Sequence, residues 1–167
     1  MTPPPADKQV IRSAVLVNTA LMTGATAFLG FALFQMVSQM DGAVGEKDPW
    51  MVLGITLGLW LATRVATPVV LKFREPLLLK ENASEHYLQS LIVRMALHEG
   101  PTLFGIVGLL MFGASNPIPA HPETVLFLIP YVAMMASGIS QWPTMERFHE
   151  QVRLARENES MRRKTSA

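Results

Sequence analysis

Four ionisable side chains fall within long apolar stretches of this chain: Arg64, Arg94, His98 and Glu99. A charged side chain at the centre of a membrane helix costs about 2.5–3.5 kcal/mol on insertion scales. Such residues persist where they pair with one another, or where they form a path for ions or a substrate. Two kinds of chemistry are therefore open to this group: neutralisation of charge between helices, and exchange of a proton or ion at the Glu99 carboxylate.

Depth and helical geometry indicate which of these residues can meet. A rise of about 1.5 Å per residue places Arg64 about 21 Å from Trp50, in the same half of a roughly 30 Å hydrocarbon core as Glu99. Arg94 and His98 share a helical face, whereas Glu99 lies about 140° round from Arg94. We therefore predict an Arg64–Glu99 ion pair between two neighbouring spans. Arg94 is shallow enough for its guanidinium to reach the lipid phosphates.

Four apolar segments must position these side chains. Charged residues make up only 16% of the 167-residue chain, which disfavours a nucleic-acid-binding module and disorder. Crossing the hydrocarbon core takes about 20 helical residues, and a backbone in lipid must satisfy its own hydrogen bonds. The segments that meet this length are 13–37, 50–71, 88–113 and 124–142. We predict that each is a helix and that Pro130 kinks the fourth.

The distribution of basic residues predicts the orientation. The N-terminal tail carries two Lys or Arg residues, the loop after the second span three and the C-terminal tail six, while Lys47 stands alone on the opposite side. By the positive-inside rule, both termini are cytoplasmic. The fold class is thus an all-α polytopic membrane protein, with four transmembrane helices in an antiparallel N-in/C-in bundle. The predicted parts are a cytoplasmic tail over 1–12, a transmembrane domain over 13–142 and a basic, partly helical cytoplasmic tail over 143–167.

The C-terminal tail carries a helical pattern. Its apolar positions recur at helical spacing, and its charges alternate at spacings that favour ion pairs. The apolar stripe consists of Met145, Phe148 and Val152, and the predicted ion pairs are Glu150 with Arg153 and Arg153 with Glu157. We expect either a solvated tail near anionic head groups or a docking surface for a partner.

Small residues at a spacing of four predict close helix approach. Gly54 and Gly58 lie in the second span, and Ala96 and Gly100 form a weaker pair in the third. We assign these four positions to helix packing, within the chain or between copies.

Enzymatic chemistry and resident groups are not predicted. The chain has no cysteine, its four histidines do not form a ligand set, and hydrolase, zinc-protease and P-loop motifs are missing from the sequence. We predict no cofactor, no metal site and no enzymatic activity.

Two resemblances add to this interpretation. Residues 94–107 (RMALHEGPTLFGIV) are similar to the carboxylate helix of rotary-ATPase proteolipids, which implies that Glu99 carries a proton or sodium ion. Over its whole length the chain more closely resembles uncharacterised four-span bacterial membrane proteins. The shared features are an Arg-x-Ala-Leu-x-Glu-Gly-like third span, here Arg94 to Gly100, and a Pro-Thr-x-x-Arg motif after the last span, here Pro143 to Arg147. That resemblance implies a multi-pass protein of the bacterial inner membrane.

Three functions remain open. The first is a small non-catalytic membrane subunit or scaffold, with membrane lipids and other membrane subunits or a second copy of itself as partners, and not nucleic acid. The alternative is a proton- or ion-translocating component that uses Glu99, with His98 as a relay. The third is a lipid head-group-binding protein with its site at Arg64, Arg94 and His98.

Overall fold

The computed structural model describes residues 5–39, 48–79, 82–113 and 122–165, and their regular secondary structure is all-helical. The helices are α1 (Pro5–Gln39), α2 (Trp50–Arg74), α3 (Ala83–Gly113), α4 (Ile129–Ser140) and α5 (Met145–Thr165). A 3₁₀ segment, Glu75–Leu79, continues α2, and another, Pro122–Leu128, leads into α4. Lys47, which entered the orientation argument, lies outside the described residues.

Four helical stretches are long and apolar enough to cross a membrane. They are Asp7–Ser38, Trp50–Leu79, Ala83–Gly113 and Pro122–Ser140. Each contains or overlaps one span predicted from the sequence. The all-helical class and the number of candidate spans are therefore confirmed for the part of the chain that the structure describes.

The third helix occupies the centre of the molecule. About 50% of its most apolar stretch is buried, against 17% for the stretch that contains α2. All the other helices pack against α3. Its interior residues include Met95, Ile106 and Leu109, which are almost completely buried.

Three apolar clusters divide the core along the length of the helices. The α5 cluster contains Ile11, Leu78, Tyr87, Phe148 and Ala155. The middle cluster contains Ala14, Met22, Ala25, Leu91, Met95 and Met134. The Phe127 cluster, at the opposite end, contains Met36, Leu53, Leu109, Phe112 and Phe127. The α5 cluster thus gathers residues from near the start of α1, from the 3₁₀ segment after α2, from near the start of α3 and from α5.

Pro130 has a different role from the predicted kink. It stands in the first turn of α4, and the residues before it form the 3₁₀ segment Pro122–Leu128. A proline is well tolerated there because the first amides of a helix have no acceptor within the helix. The fourth candidate span therefore consists of a 3₁₀ start followed by an α-helix with the proline in its first turn.

The predicted pattern of the C-terminal tail is confirmed. Phe148 is buried in the α5 cluster, with Met145 and Val152 packed around it. Its ring meets that of Tyr87 edge-on, with centroids 5.5 Å apart. Helix α5 therefore covers one end of the other helices.

Both predicted ion pairs of α5 are also formed. Arg153 pairs with Glu150 at 2.6 Å and with Glu157 at 3.2 Å. At the start of the helix, the Arg147 amide donates to Thr144 Oγ1 at 3.2 Å, which satisfies one amide of the first turn.

Candidate functional site

The four ionisable residues singled out in the apolar stretches do not form one cluster. Arg64 is exposed on α2, and its Cζ lies 5.6 Å from the centroid of the Trp60 ring, within the range of a cation–π contact. His98 is buried, with 4% of its surface exposed. Both Arg64 and Arg94 are close enough to act electrostatically on His98. Glu99 is half-buried, and among the described residues no ion pair within 4.0 Å joins it to Arg64.

The direction of each side chain around α3 accounts for the missing contact. His98 lies about 20° from Gly105. Gly105 faces the groove between α2 and the 3₁₀ segment before α4, since a Cβ built on it would overlap the Phe127 carbonyl oxygen and lie 3.4 Å from Thr56 Cγ2. Glu99 is one residue further, about 100° away, and within about 40° of Met95 and Gly113. Met95 packs in the middle cluster with residues of α1, and a Cβ on Gly113 would meet Met36 of that helix. Glu99 therefore lies on the α1 side of α3.

The four positions assigned to helix packing lie on the outside of this chain. Gly54, Gly58 and Gly100 are exposed, and a Cβ built on each would have nothing within 4 Å. Ala96 is exposed as well. These residues therefore do not mediate the contacts between the described helices.

Other glycines allow close helix approach inside the chain. A Cβ on Gly105 would overlap the Phe127 carbonyl oxygen, and one on Gly108 would lie 2.5 Å from the Phe127 ring. Gly138 lies against Met22, whose Sδ would be 2.7 Å from an added Cβ. The sequence feature that could have indicated these contacts is the pair Gly105 and Gly108, two glycines three residues apart in a span with few polar residues.

Neutral polar side chains join α1 to α4. None of these residues was predicted from the sequence as a site residue. Asn18 is completely buried, and its Nδ2 donates to the Gly138 carbonyl at 3.2 Å. Further along, the hydroxyls of Thr26 and Tyr131 are 2.9 Å apart. An uncharged amide or hydroxyl in an apolar stretch was the signal for these contacts.

A hydroxyl also links α3 to the first turn of α4. Thr102 Oγ1 lies 2.8 Å from the His98 carbonyl and 3.1 Å from the Pro130 carbonyl. One proton is therefore shared between an acceptor in its own helix and an acceptor in the next. This contact helps to fix the buried turn that contains His98.

A polar concavity lies near the α5 cluster, between α3, the turn after α4 and the start of α5. We call it the α3–α5 crevice, and its volume is about 230 Å³. Its polar lining residues are Tyr87, Ser90, Arg94, Gln141, Arg147 and Gln151. Of these, only Arg94 was a candidate from the sequence. The others were missed because they come from three separate stretches of the chain.

A second cavity adjoins the crevice on the side of α2. Its volume is about 280 Å³, and it shares Ser90, Arg94 and Gln151 with the crevice. Its charged residues also include Lys72 and Glu75, and the Glu75 carboxylate accepts a hydrogen bond from Asn158. Arg94 thus stands between the two cavities.

Among residues 5–39, 48–79, 82–113 and 122–165, no group of three or more His, Asp or Glu side chains is arranged to hold a metal ion. The donors of the crevice are guanidinium, amide and hydroxyl groups, which suit an anion rather than a cation.

Fold and composition together define a multi-pass helical membrane protein, with four helices able to cross a bilayer and a fifth packed across one end. No family model, no curated protein and no solved structure matches the chain.

Proposed function

We propose that this chain is a small non-catalytic subunit or scaffold of a bacterial inner membrane, with its four spans in an antiparallel bundle and both termini in the cytoplasm. The concentration of Lys and Arg in the two tails and in the loop after the second span supports the orientation. The composition of the α5 cluster supports alternating helix directions. It contains Ile11 and Tyr87 from near the starts of α1 and α3, and Leu78 from beyond the end of α2.

The observation that carries the subunit function is the outward-facing pair Gly54 and Gly58. In the described part of the chain, no other helix lies within 4 Å of a Cβ built on either residue, and the stretch that contains α2 is the least buried of the four spans. Two glycines at this spacing let another transmembrane helix approach the backbone closely. The described glycines that serve this purpose within the chain lie elsewhere, on α3 and α4.

The surface around these glycines is apolar and continuous. At about 100° per residue, Leu61 and Val65 lie within about 20° of Gly54. Their exposed fractions are 56% and 70%. We call Gly54, Gly58, Leu61 and Val65 the α2 face, and its proposed occupant is a transmembrane helix from a second copy or from another membrane subunit.

Photo-crosslinking tests this proposal. Because the native chain has no cysteine, a single Leu61→Cys attaches a maleimide–benzophenone probe to the α2 face alone. We expect a crosslinked product of higher mass in native membranes, and loss of that product when Gly58→Leu is added. Gly30→Leu is the matched control, since Gly30 is an exposed glycine of α1 with nothing within 4 Å.

The mass of the product identifies the partner as a second copy or as another subunit. The proposal fails if no product forms, or if Gly58→Leu and Gly30→Leu reduce it equally.

A further inference from the structure

The α3–α5 crevice concentrates positive charge without a balancing carboxylate in its own lining. Arg94 comes from α3 and Arg147 from the first turn of α5, and no Asp or Glu of the described residues lines the crevice. Arg147 is close enough to act electrostatically on Arg94. Two like charges held near each other repel, so an anion between them lowers the energy of the arrangement.

The arginines of α5 differ in whether they have a carboxylate partner. Arg153, less than two turns further along the helix, is paired with both Glu150 and Glu157. By contrast, the ion pairs among the described residues include neither Arg94 nor Arg147. At the crevice, therefore, neither guanidinium is neutralised by a carboxylate of the described residues.

One neutral side chain of the crevice also lacks a partner. Gln141 Oε1 is buried without a hydrogen-bond partner in the described part of the chain. A half-turn of its amide plane exchanges that oxygen for an NH₂ donor, so the same side chain can serve an anion. Arg147 belongs to the first turn of α5, where the positive end of the helix dipole adds to the attraction for negative charge.

The size of the crevice limits the ligand. Its volume is about 230 Å³. It lies below the roughly 300–1,000 Å³ of pockets that enclose a drug-sized molecule. A single phosphate group with part of its hydration shell suits this volume, and guanidinium groups are well suited to binding phosphate oxygens.

We propose that the α3–α5 crevice binds a phosphate group between Arg94 and Arg147. The group is supplied either by an anionic lipid, through its head-group phosphodiester, or by a free phosphate ion. The lipid head-group site predicted from the sequence consisted of Arg64, Arg94 and His98, and this proposal retains only Arg94 of the three. It replaces Arg64 and His98 with Arg147, Gln141 and Tyr87. It is independent of the partner proposed for the α2 face.

The test uses the full-length purified protein and two phosphate sources. In the first arm, inorganic phosphate is titrated into protein in detergent, and its affinity is measured from the shift in thermal unfolding. In the second arm, the protein is reconstituted with a mixture of phosphatidylglycerol and phosphatidylcholine, and native mass spectrometry counts the retained phosphatidylglycerol.

Arg147→Gln is the decisive variant, because Arg147 is exposed and its loss leaves the core unchanged. We expect it to weaken binding by about tenfold or more, equivalent to about 1.4 kcal/mol. Arg156→Gln, an exposed arginine of the same helix that does not line the crevice, should bind as the wild type does. Arg94→Gln should match Arg147→Gln if it folds.

Binding of phosphatidylglycerol alone identifies the lipid as the source, and binding of inorganic phosphate alone identifies a soluble anion. Either result supports the proposal when it depends on Arg147. Absence of binding in both arms overturns it, and so does an equal loss in Arg147→Gln and Arg156→Gln.

Discussion

Gly108 of α3 lies against the ring of Phe127, so closely that an added Cβ would be 2.5 Å from ring carbon Cε1. Phe127 is completely buried in the 3₁₀ segment that leads into α4, and its ring stacks with that of Phe112 at a centroid distance of 6.0 Å. The glycine and the phenylalanine together set how closely the fourth span approaches the third.

The first prediction follows from that contact. Gly108→Ala should destabilise the protein by about 1–3 kcal/mol, because the added methyl forces the buried ring to move. Thermal unfolding in detergent measures the change. Gly100→Ala on the same helix is the control, since nothing lies within 4 Å of its Cβ. We expect it to be neutral or to stabilise α3 by up to about 1 kcal/mol. Equal effects of the two variants would contradict the predicted role of Gly108.

The second prediction concerns the hydroxyl shared between α3 and α4. Thr102→Val keeps the side-chain volume but removes the hydrogen bond to the Pro130 carbonyl, at an expected cost of about 0.5–1.7 kcal/mol. Thr67→Val is the matched control, because Thr67 is also buried but donates at 2.7 Å within its own helix, to the Thr63 carbonyl. Unfolding by titration with a denaturing detergent compares the two. A smaller effect at Thr102 than at Thr67 would rule out the link between helices.

The third prediction separates Arg64 from Glu99. Since the two side chains form no ion pair, exchanging their charges in Arg64→Glu with Glu99→Arg should not restore what the single changes lose. We expect a coupling energy within about 0.5 kcal/mol of zero in a double-mutant cycle of membrane abundance. Full recovery of abundance in the double variant would instead indicate the pair that the sequence analysis predicted.

The fourth prediction tests ion translocation at Glu99. Under the subunit proposal, Glu99→Gln leaves the pH dependence of proton leak in reconstituted vesicles the same as in the wild type. Arg64→Gln in the same assay controls for a change of charge within the spans. A proton flux that is present in the wild type and abolished only by Glu99→Gln would establish the alternative function.

The fifth prediction uses the pH dependence of α5. The hydrogen bond from Arg153 holds the pKa of Glu150 below its usual value. A lowered pKa means that the contribution of this pair to helix stability is present at neutral pH. That contribution is lost as the pH falls through the lowered pKa. Arg153→Gln should raise the pKa of Glu150 towards its ordinary value in an NMR titration, whereas Arg156→Gln should leave it unchanged. An unchanged pKa in Arg153→Gln would contradict the pairing.

The hydropathy of the sequence was sufficient to predict the four candidate spans, and helical spacing was sufficient to predict the apolar stripe and ion pairs of α5. Both predictions depend on local sequence patterns, which do not change with the way the neighbouring helices pack. The depth arithmetic for Arg64 and Glu99 was a different kind of inference. It fixes height along the helix but not rotation about the axis, which depends on where α1 and α2 pack.

The same distinction explains the glycines. Spacing alone favoured Gly54 and Gly58, yet the contacts inside the chain fall at Gly105, Gly108 and Gly138. The choice of the central helix depends on the sum of many packing contacts, so no single motif predicts it. The crevice was equally hidden, because Arg94, Gln141 and Arg147 become neighbours only when α5 folds back onto α3.

The central position of α3 has a consequence for biogenesis. In the described structure, α1 and α2 pack mainly on α3 and not on each other. The spans α1 and α2, which leave the ribosome before α3, therefore have little to hold them together until α3 has entered the bilayer. A chain truncated before Ala83 should expose the polar side chains of Asn18 and Thr56 to lipid, and membrane quality-control proteases should degrade it faster than one that ends after Gly113.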